Sequence, residues 1–394
     1  MFQKDSPSMN SAEYHLNKNF FLKLIEFQSL YNIKTDELYC LDEKAFQILK
    51  KIEQDEKPVQ IDKELLAYCI NEGILTEKPV KRIKTPLRQS PIPSLRYLEL
   101  QITKRCNLKC KHCFVGETRS VDLTFEQIVT VLNEFQEMQG LRVLITGGEP
   151  LLHPDFRKVN EFVKDLALRK ILFTNGVILN DELLKKLNVE EIQISIDGAK
   201  KGHEILRGKD TFDRAITALK KAIDCGFDVS VATVIHRGNL QEFDELENIL
   251  KTFNIKSWTV DALTISGNLR LNKELWVSPK EAATIMNRYG FTPEDHPRKE
   301  GYGCGTHLLS VLATGKAAFC SFYEESPIGD INEGLENLWK RKKQIFLKEL
   351  ECTKINCQFI NECRGGCRFR AKMLSGDEKA PDLFKCYQFN RLRT

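Results

Sequence analysis

The chain has 394 residues, of which 42% are hydrophobic and 29% charged, and it carries a net charge of +4. That length exceeds one small domain, and the composition excludes wholesale disorder. No apolar run approaches the roughly 18 residues that cross a bilayer, and the polar first 18 residues hold no apolar signal core, so a cytoplasmic protein with no membrane segment is expected.

The segment to about residue 77 reads as one unit. From Phe20 to Leu41, aromatic and β-branched residues alternate with polar ones, which predicts strands, with a turn at Lys34-Thr35-Asp36. Helices are predicted over 43–52, capped by Asp42, and over 62–71, stopped by Gly73. Residues 78–88, KPVKRIKTPLR, are basic and hold two prolines, the composition of a linker. From Arg96 the pattern becomes a regular alternation. Strands are predicted over 97–103, 143–146, 171–174, 192–196, 229–233 and 257–261. Helices are predicted over 124–138, 156–166, 181–187, 212–225 and 240–253. Six strands joined by helical crossovers imply an α/β parallel sheet, either doubly wound or an incomplete barrel. After about Pro279 the alternation stops. Residues 301–394 are rich in cysteine, glycine and charge, and metal ligation is expected to substitute there for burial. The expected domains are therefore 1–78, a linker at 79–94, 95–295 and 296–394.

There are 13 cysteines, an odd number, and no export signal. Reduced thiolates serving as metal ligands fit this better than a disulfide framework. Cys40, Cys69 and Cys225 stand apart and read as small buried apolar residues. Cys106, Cys110 and Cys113 follow the first strand of the alternation, at the end where ligand loops of parallel sheets converge. Three thiolates cannot fill the four corners of a cubane, so one iron would be left open to bind something small. Zinc completed by His112 or another residue is the alternative. His112 is expected to point elsewhere if Cys113 ligates. Gly147-Gly148-Glu149-Pro150 closes the second strand. Its glycines permit close approach to the backbone, and Glu149 is an acceptor for an ammonium group. The spacing is neither a dinucleotide fingerprint nor a phosphate loop.

Together these residues resemble the radical S-adenosylmethionine enzymes. The Cys-x3-Cys-x2-Cys loop and the GGEP motif match that family, as do Thr174-Asn175-Gly176 after the third strand and Ser195-Ile-Asp197-Gly198 with Leu206-Arg207-Gly208 at the fourth. The position before Cys113, often aromatic in the family, is His112 here. The resemblance covers about residues 95–262 and implies a partial (β/α)6 barrel. It also implies a 4Fe–4S cluster on Cys106, Cys110 and Cys113, whose open iron chelates S-adenosylmethionine. Reductive cleavage would then give a 5′-deoxyadenosyl radical that removes hydrogen from a C–H bond. Gly147, Gly148 and Glu149 would hold the methionine amine. Asn175, Ser195, Asp197 and Arg207 would contact ribose and carboxylate. Each of these polar residues also reads as an ordinary strand-end cap or turn.

Cys304, Cys320, Cys352, Cys357, Cys363, Cys367 and Cys386 resemble the SPASM extension of that family, which binds two auxiliary 4Fe–4S clusters. By that resemblance Cys304, Cys320 and Cys367 hold the first cluster, and Cys352, Cys357, Cys363 and Cys386 the second. Four residues separate Cys352 from Cys357, where the family has two. The first set has three cysteines, so its fourth position is open or filled by another ligand. Structural zinc is again the alternative.

The N-terminal unit, over about 22–77, resembles the winged-helix-like recognition element that captures leader peptides of ribosomally made precursors at a sheet edge. The interval 53–61 is short, so a helix usual in that element is expected to be missing. The implied activity is a peptide maturase that crosslinks its precursor, for example through a thioether. The implied partners are a precursor peptide and a small electron-donor protein such as a ferredoxin or flavodoxin. Neither a membrane nor a nucleic-acid partner is expected. Oxidation of a protein side chain, or modification of a porphyrin, uses the same scaffold. A zinc-binding winged-helix regulator is the reading from a different class.

Overall fold

The computed structural model describes residues 14–54, 61–116, 119–292 and 296–389. Strands β1 (His15–Leu16) and β5 (Leu75–Thr76) pair antiparallel, and β2 (Phe20–Leu24), β3 (Gln28–Asn32) and β4 (Glu37–Cys40) form a meander. The predicted turn is present, with Asp36 at φ 73°, a left-handed conformation that Asp tolerates better than most residues. Helix α1 (Glu43–Glu53) is capped as expected, Asp42 accepting from the Ala45 amide at 2.7 Å. Helix α2 (Lys63–Asn71) is capped by Asp62. The interval expected to lack a helix falls largely outside the described residues.

One face of the meander packs Phe20, Leu22 and Leu30 against Phe46, Leu49 and Cys69 of the two helices. The other buries Phe21 and Tyr31 against Leu141 and Ala167, which precede two barrel strands. Buried charges reinforce this second face. Lys23 donates to the carbonyl of Gly140 at 2.8 Å, and Arg96 pairs with Glu26 at 2.5 Å. Arg169 donates to the carbonyl of Ile33 at 3.0 Å, and Arg142 pairs with Asp36 at 2.7 Å. The meander is therefore docked on the foot of the barrel. The basic stretch expected to be a linker runs extended and is pinned. Arg82 donates to the Phe20 carbonyl at 2.6 Å, Arg88 to the Glu137 carbonyl at 2.8 Å, and the Ser90 amide to the Leu24 carbonyl at 2.8 Å.

Six parallel strands follow in sequential order: β6 (Tyr97–Thr103), β7 (Arg142–Gly147), β8 (Arg169–Thr174), β9 (Glu191–Ser195), β10 (Asp228–Ile235) and β11 (Ser257–Ala262). Between them lie α3 (Phe125–Glu137), α4 (Phe156–Val163), α5 (Asp181–Leu184), α6 (Lys200–Arg207), α7 (Phe212–Asp224) and α8 (Phe243–Leu250). Leu98, Leu100, Ile102, Val143 and Ile145 turn outward onto Ile128, Leu132 and Phe135 of α3. The alternate residues face a lumen, because same-face positions on a strand are two apart. The arc stays open, since β6 and β11 stand at opposite ends of the run. The six expected units are all present in this incomplete barrel.

Helix α9 (Pro279–Met286) opens with a capping box from Ser278 and Glu281. Beyond it the structure departs from expectation. Strand β12 (Leu308–Val311) adds parallel to β6, and β13 (Lys316–Ala318) and β14 (Gly329–Asp330) extend the same sheet to nine strands. Leu309, Val311 and Ala317, with Leu335, Leu338 and Trp339 around α10 (Leu335–Arg341), join the main barrel core. Burial therefore holds the chain as far as about residue 341. The stretch beyond is built of four short helices: α11 (Glu351–Lys354), α12 (Ile360–Cys363), α13 (Arg368–Ser375) and α14 (Leu383–Gln388). Among the isolated cysteines, Cys69 is buried as expected, but Cys40 and Cys225 are exposed. Among the described residues, no helix is long and apolar enough to cross a membrane.

Candidate active site

The cysteine loop leaves β6 at a register irregularity between Gln101 and Thr103, where a bulge re-aims the chain. The Thr103 hydroxyl donates to Asp122 at 2.5 Å, and Arg105 pairs with Asp122 at 2.9 Å. Lys104 pairs with Glu324, tying the loop to the cysteine-rich region. Cys106, Cys110 and Cys113 then line one cavity of about 160 Å³, together with Gly147, Gly148, Asn175, Ser195 and Arg207. The loop after β7 reaches this cavity because Gly148 approaches β6 closely: a Cβ there would lie 2.4 Å from the Arg105 carbonyl oxygen. Only glycine fits that approach.

Burial pushes the Cys106 thiol up to about 11. It raises Cys110 and Cys113 as well, with the Arg207 guanidinium pulling the other way on both. Ligation by iron displaces the thiol protons, so the trio, of which Cys110 is buried and Cys106 and Cys113 half-buried, would gain its negative charge on binding metal. Among the described residues, no three Cys, His, Asp or Glu side chains close on a single-ion position. A cubane differs in holding its thiolates at separate corners.

The remaining sequence-predicted residues divide into two groups. Gly147, Gly148, Asn175, Ser195 and Arg207 line the cavity. Glu149 and Asp197 are fully buried beneath it and spend their oxygens on neighbours. The Glu149 carboxylate accepts from the Thr174 hydroxyl at 2.9 Å and the Asn175 amide at 2.9 Å. Burial raises its pKa to about 7 against those hydrogen bonds. Asp197 accepts from Arg207 and from the Val234 amide at 2.9 Å. Burial opposes its charge most strongly, but Arg207, His112, His203 and the Val234 amide together outweigh burial and leave it at about 2. In this structure Asp197 aims Arg207, and Glu149 fixes the turn after β8.

His112, expected to point elsewhere if Cys113 ligates, lines the same cavity as Cys113. Burial, with help from Arg207, lowers its pKa to about 3, so the ring is neutral. Its Nδ1 is buried and makes no hydrogen bond. Sequence reading also missed a brace. The turn after β11 brings Gly267 so close that a Cβ would lie 2.2 Å from the Cys113 carbonyl oxygen. There Asn268 donates its amide to that carbonyl at 2.9 Å and its side chain to the Cys110 carbonyl at 3.1 Å. Asn272 holds the Lys111 carbonyl at 3.1 Å. Some 155 residues separate these partners, so no local pattern could announce them. His236 is buried beside Asn239, and the exposed Asp261 pairs with Arg370 at 2.6 Å.

The seven C-terminal cysteines gather around the short helices. The thiols of Cys304 and Cys367 hydrogen-bond, which pulls Cys304 down to about 7 against burial. Burial raises Cys320, which stands beside Cys367 and Glu99. Cys367 caps α13, whose first amides point at this trio. Cys352 and Cys357 pack in one apolar cluster with Leu347 and Leu350, and Cys363 faces Cys352. The four-residue spacing is absorbed by α11 and by Asn356 at φ 48°, closed by the Cys357 amide donating to the Cys352 carbonyl at 3.0 Å. Cys386 lies buried one turn after Asp382, which accepts from the Cys367 amide at 2.8 Å and links the two groups.

Residues 100–251 match the model of the radical SAM superfamily. Mycofactocin maturase MftC of Mycolicibacterium smegmatis is 33% identical over 316 residues, covering 71% of this chain and 79% of that protein. AdoMet-dependent heme synthase of Methanosarcina barkeri is 26% identical over 343 residues, covering 74% and 97%. Among solved structures, Streptococcus suis SuiB bound to precursor peptide SuiA superposes with a TM-score of 0.66 at 16% identity, covering 94% of this chain and 98% of that one. The anSMEcpe structure with bound AdoMet and the Cp18Cys peptide gives 0.56 at 19%, covering 75% and 97%. An open parallel barrel, three cysteines gathered with a glycine turn at its C-terminal end, and a third of the sequence shared with a relative over most of its length lead to one conclusion: this chain belongs to the radical SAM superfamily, enzymes that use S-adenosylmethionine and a 4Fe–4S cluster.

Proposed function

We propose that the protein is a peptide maturase that removes hydrogen from a residue of a ribosomally made precursor, with a thioether or other crosslink as the product. The observation that carries this reading is the β2–β3–β4 meander docked on the barrel with one edge unpaired. Among the described residues, β4 pairs only with β3. The Leu41 amide donates inward to Gln28, so by the period of two the amides of Leu38 and Cys40 face the outer edge. Such an edge is where an extended peptide adds as a further strand. The relative named mycofactocin maturase and the fold shared with a precursor-bound structure support the same reading.

In this proposal Cys106, Cys110 and Cys113 hold the 4Fe–4S cluster, and the donor set fits: one buried and two half-buried thiols with a guanidinium beside them, and His112, whose buried Nδ1 has no hydrogen-bond partner, lining the same cavity. The cluster, when bound, supplies the electron that cleaves S-adenosylmethionine. Gly147 and Gly148 let the ligand's amine lie against the backbone, and Glu149 beneath them fixes the turn after β8 that faces it. Ser195 and Asn175 offer hydrogen bonds to the ribose, and Arg207, held by Asp197, faces the carboxylate. The barrel wall keeps water away. Cys304, Cys320 and Cys367 take a first auxiliary cluster, and Cys352, Cys357, Cys363 and Cys386 a second. A small electron-donor protein would supply the reducing electrons. The proposed division into an N-terminal recognition unit, a barrel and a cysteine-rich unit near residues 78, 95 and 296 follows these roles.

The heme synthase relatives favour a second reading, modification of a porphyrin. One experiment separates the two. Cys40→Pro removes an outward amide without touching the β3 ladder. Co-expression with a candidate short precursor peptide should yield a product lighter by lost hydrogens with the native chain, and at least tenfold less with Cys40→Pro. A precursor left unaltered by the native chain, with a porphyrin consumed instead, sinks the peptide reading.

A further inference from the structure

Two cavities share one lumen. The larger, about 750 Å³, is lined by the hairpin tip at Asp36 and Glu37 and by inward residues of β7 to β11. The smaller is the cysteine cavity. Leu144 and Gln193 line the larger. Two positions on along the same strands, Thr146 and Ser195 line the smaller, and Phe173 lines both. The cavities are therefore stacked along one wall, the larger toward the strands' N-terminal ends. Along the strands its charges pair, Arg142 with Asp36 at 2.7 Å and Lys256 with Glu191 at 3.4 Å, while Glu37 at the mouth accepts from the Thr35 and Tyr39 hydroxyls. Uncharged hydrogen-bonding groups remain along the strands, among them Gln193, Ser257 and Thr259.

The unpaired edge of β4 ends at this mouth. Residues 35–39 line the cavity, so a strand laid along β4 has the lumen directly ahead of it at the Glu37 end. We propose that the precursor peptide pairs antiparallel with β4, running from Cys40 toward Glu37, and continues past the hairpin tip into the larger cavity. Its downstream residues then meet the cysteine cavity at Phe173. The inference rests on the peptide reading above and adds a direction, an entrance and a spacing to it. The direction follows from the order of the path: the upstream segment lies on the edge and the downstream segment in the lumen. The spacing follows from the wall. Strand β7 has six residues, and at roughly 3.3 Å each it spans about 20 Å, the length of about six extended residues. The modified residue is placed about six to eight positions after the segment paired at Glu37. Paired charges and uncharged hydrogen-bonding groups along the strands suit a stretch of uncharged side chains.

The test uses the full chain and the candidate precursor peptide of the co-expression experiment above. The photo-crosslinker p-benzoylphenylalanine is placed at position 40, 37 or 259, and the captured peptide residues are mapped by mass spectrometry. The expected order along the peptide is position 40 first, then 37, then 259, with the last capture six or more residues beyond the second. A reversed order, or capture at the edge with none at 259, overturns the inference. In parallel, Thr259→Trp and Gln193→Trp fill the lumen. Each should cut modified peptide at least 100-fold while the upstream segment still binds within threefold of the native affinity. Iron–sulfur absorbance and the melting temperature check folding. Undiminished modification by both variants overturns the inference and leaves the peptide reading standing. A precursor neither captured at any position nor modified by the native chain removes both.

Discussion

The ammonium of Lys23, on the N-terminal meander, lies 2.8 Å from the carbonyl oxygen of Gly140 at the foot of the barrel. The lysine is 1% exposed, and burial lowers its pKa from 10.5 to about 7, with Glu53 pulling the other way. The docking of the two units therefore depends on pH. Between about pH 7 and 10 the unfolded chain keeps a proton that the folded one has released, so stability rises with pH in that window. The slope from this one group is at most about 1.4 kcal/mol per pH unit. Chemical denaturation of Lys23→Met should show a shallower rise from pH 7 to 10 than the native chain. Lys342, also buried and lowered to about 7, leaves part of the slope in place. Equal slopes would mean that Lys23 keeps its proton throughout.

Gly148→Ala tests the close approach behind the cysteine cavity. The new methyl meets the Arg105 carbonyl oxygen at 2.4 Å, an atom of the backbone that cannot rotate away. The loop must shift, at a cost of about 1–3 kcal/mol. S-adenosylmethionine affinity, read by equilibrium dialysis against the reduced protein, should fall about tenfold to 100-fold. Iron content should hold. Native affinity would show that this turn does not shape the ligand site.

Asn268→Ala removes the donor to the Cys110 carbonyl. One such hydrogen bond contributes about 1 kcal/mol, or roughly fivefold in an equilibrium. Iron should leave the protein several-fold faster when a chelator is added, while the melting temperature of the metal-free chain moves by only a few degrees. Chelation at the native rate would reduce the brace to a packing contact.

Cys357→Ala separates the two ends of the molecule. The half-buried thiol lies in the cluster of Leu347, Leu350 and Cys352, away from the cavity lined by Cys106. Formation of 5′-deoxyadenosine should continue within about threefold, and modified product should fall below a tenth of native. Full product yield with the thiol removed would end the proposed auxiliary role.

The barrel was legible in the sequence because its signals are local. Each strand is a short apolar run ended by a turn, and Cys106, Cys110 and Cys113 lie within eight residues of one another. The features that stayed hidden are long-range. The parallel pairing of β12 with β6 joins residues some 210 positions apart, and this pairing holds the start of the C-terminal region by burial. The Asn268 brace and the Lys23 plug are hidden for the same reason. Composition misled at the basic stretch, where Arg82 and Arg88 act as pins. It also misled at Cys40 and Cys225, whose exposure depends on an edge strand and a helix end. Glu149 and Asp197 lie beneath the cysteine cavity. Only the hydrogen bonds show that their oxygens are turned onto Thr174, Asn175 and Arg207.

The claim on which the account stands is that Cys106, Cys110 and Cys113 hold a cubane with one open iron. Electron paramagnetic resonance of the anaerobically reconstituted, reduced protein tests it most directly, with and without S-adenosylmethionine, in a chain whose C-terminal cysteines Cys304, Cys320, Cys352, Cys357, Cys363, Cys367 and Cys386 are replaced by alanine. The account predicts about four irons per chain, a 4Fe–4S signal that shifts when S-adenosylmethionine is added, and loss of both in the Cys106→Ala, Cys110→Ala, Cys113→Ala triple variant. A cluster whose signal ignores S-adenosylmethionine, or one that survives in the triple variant, would contradict it.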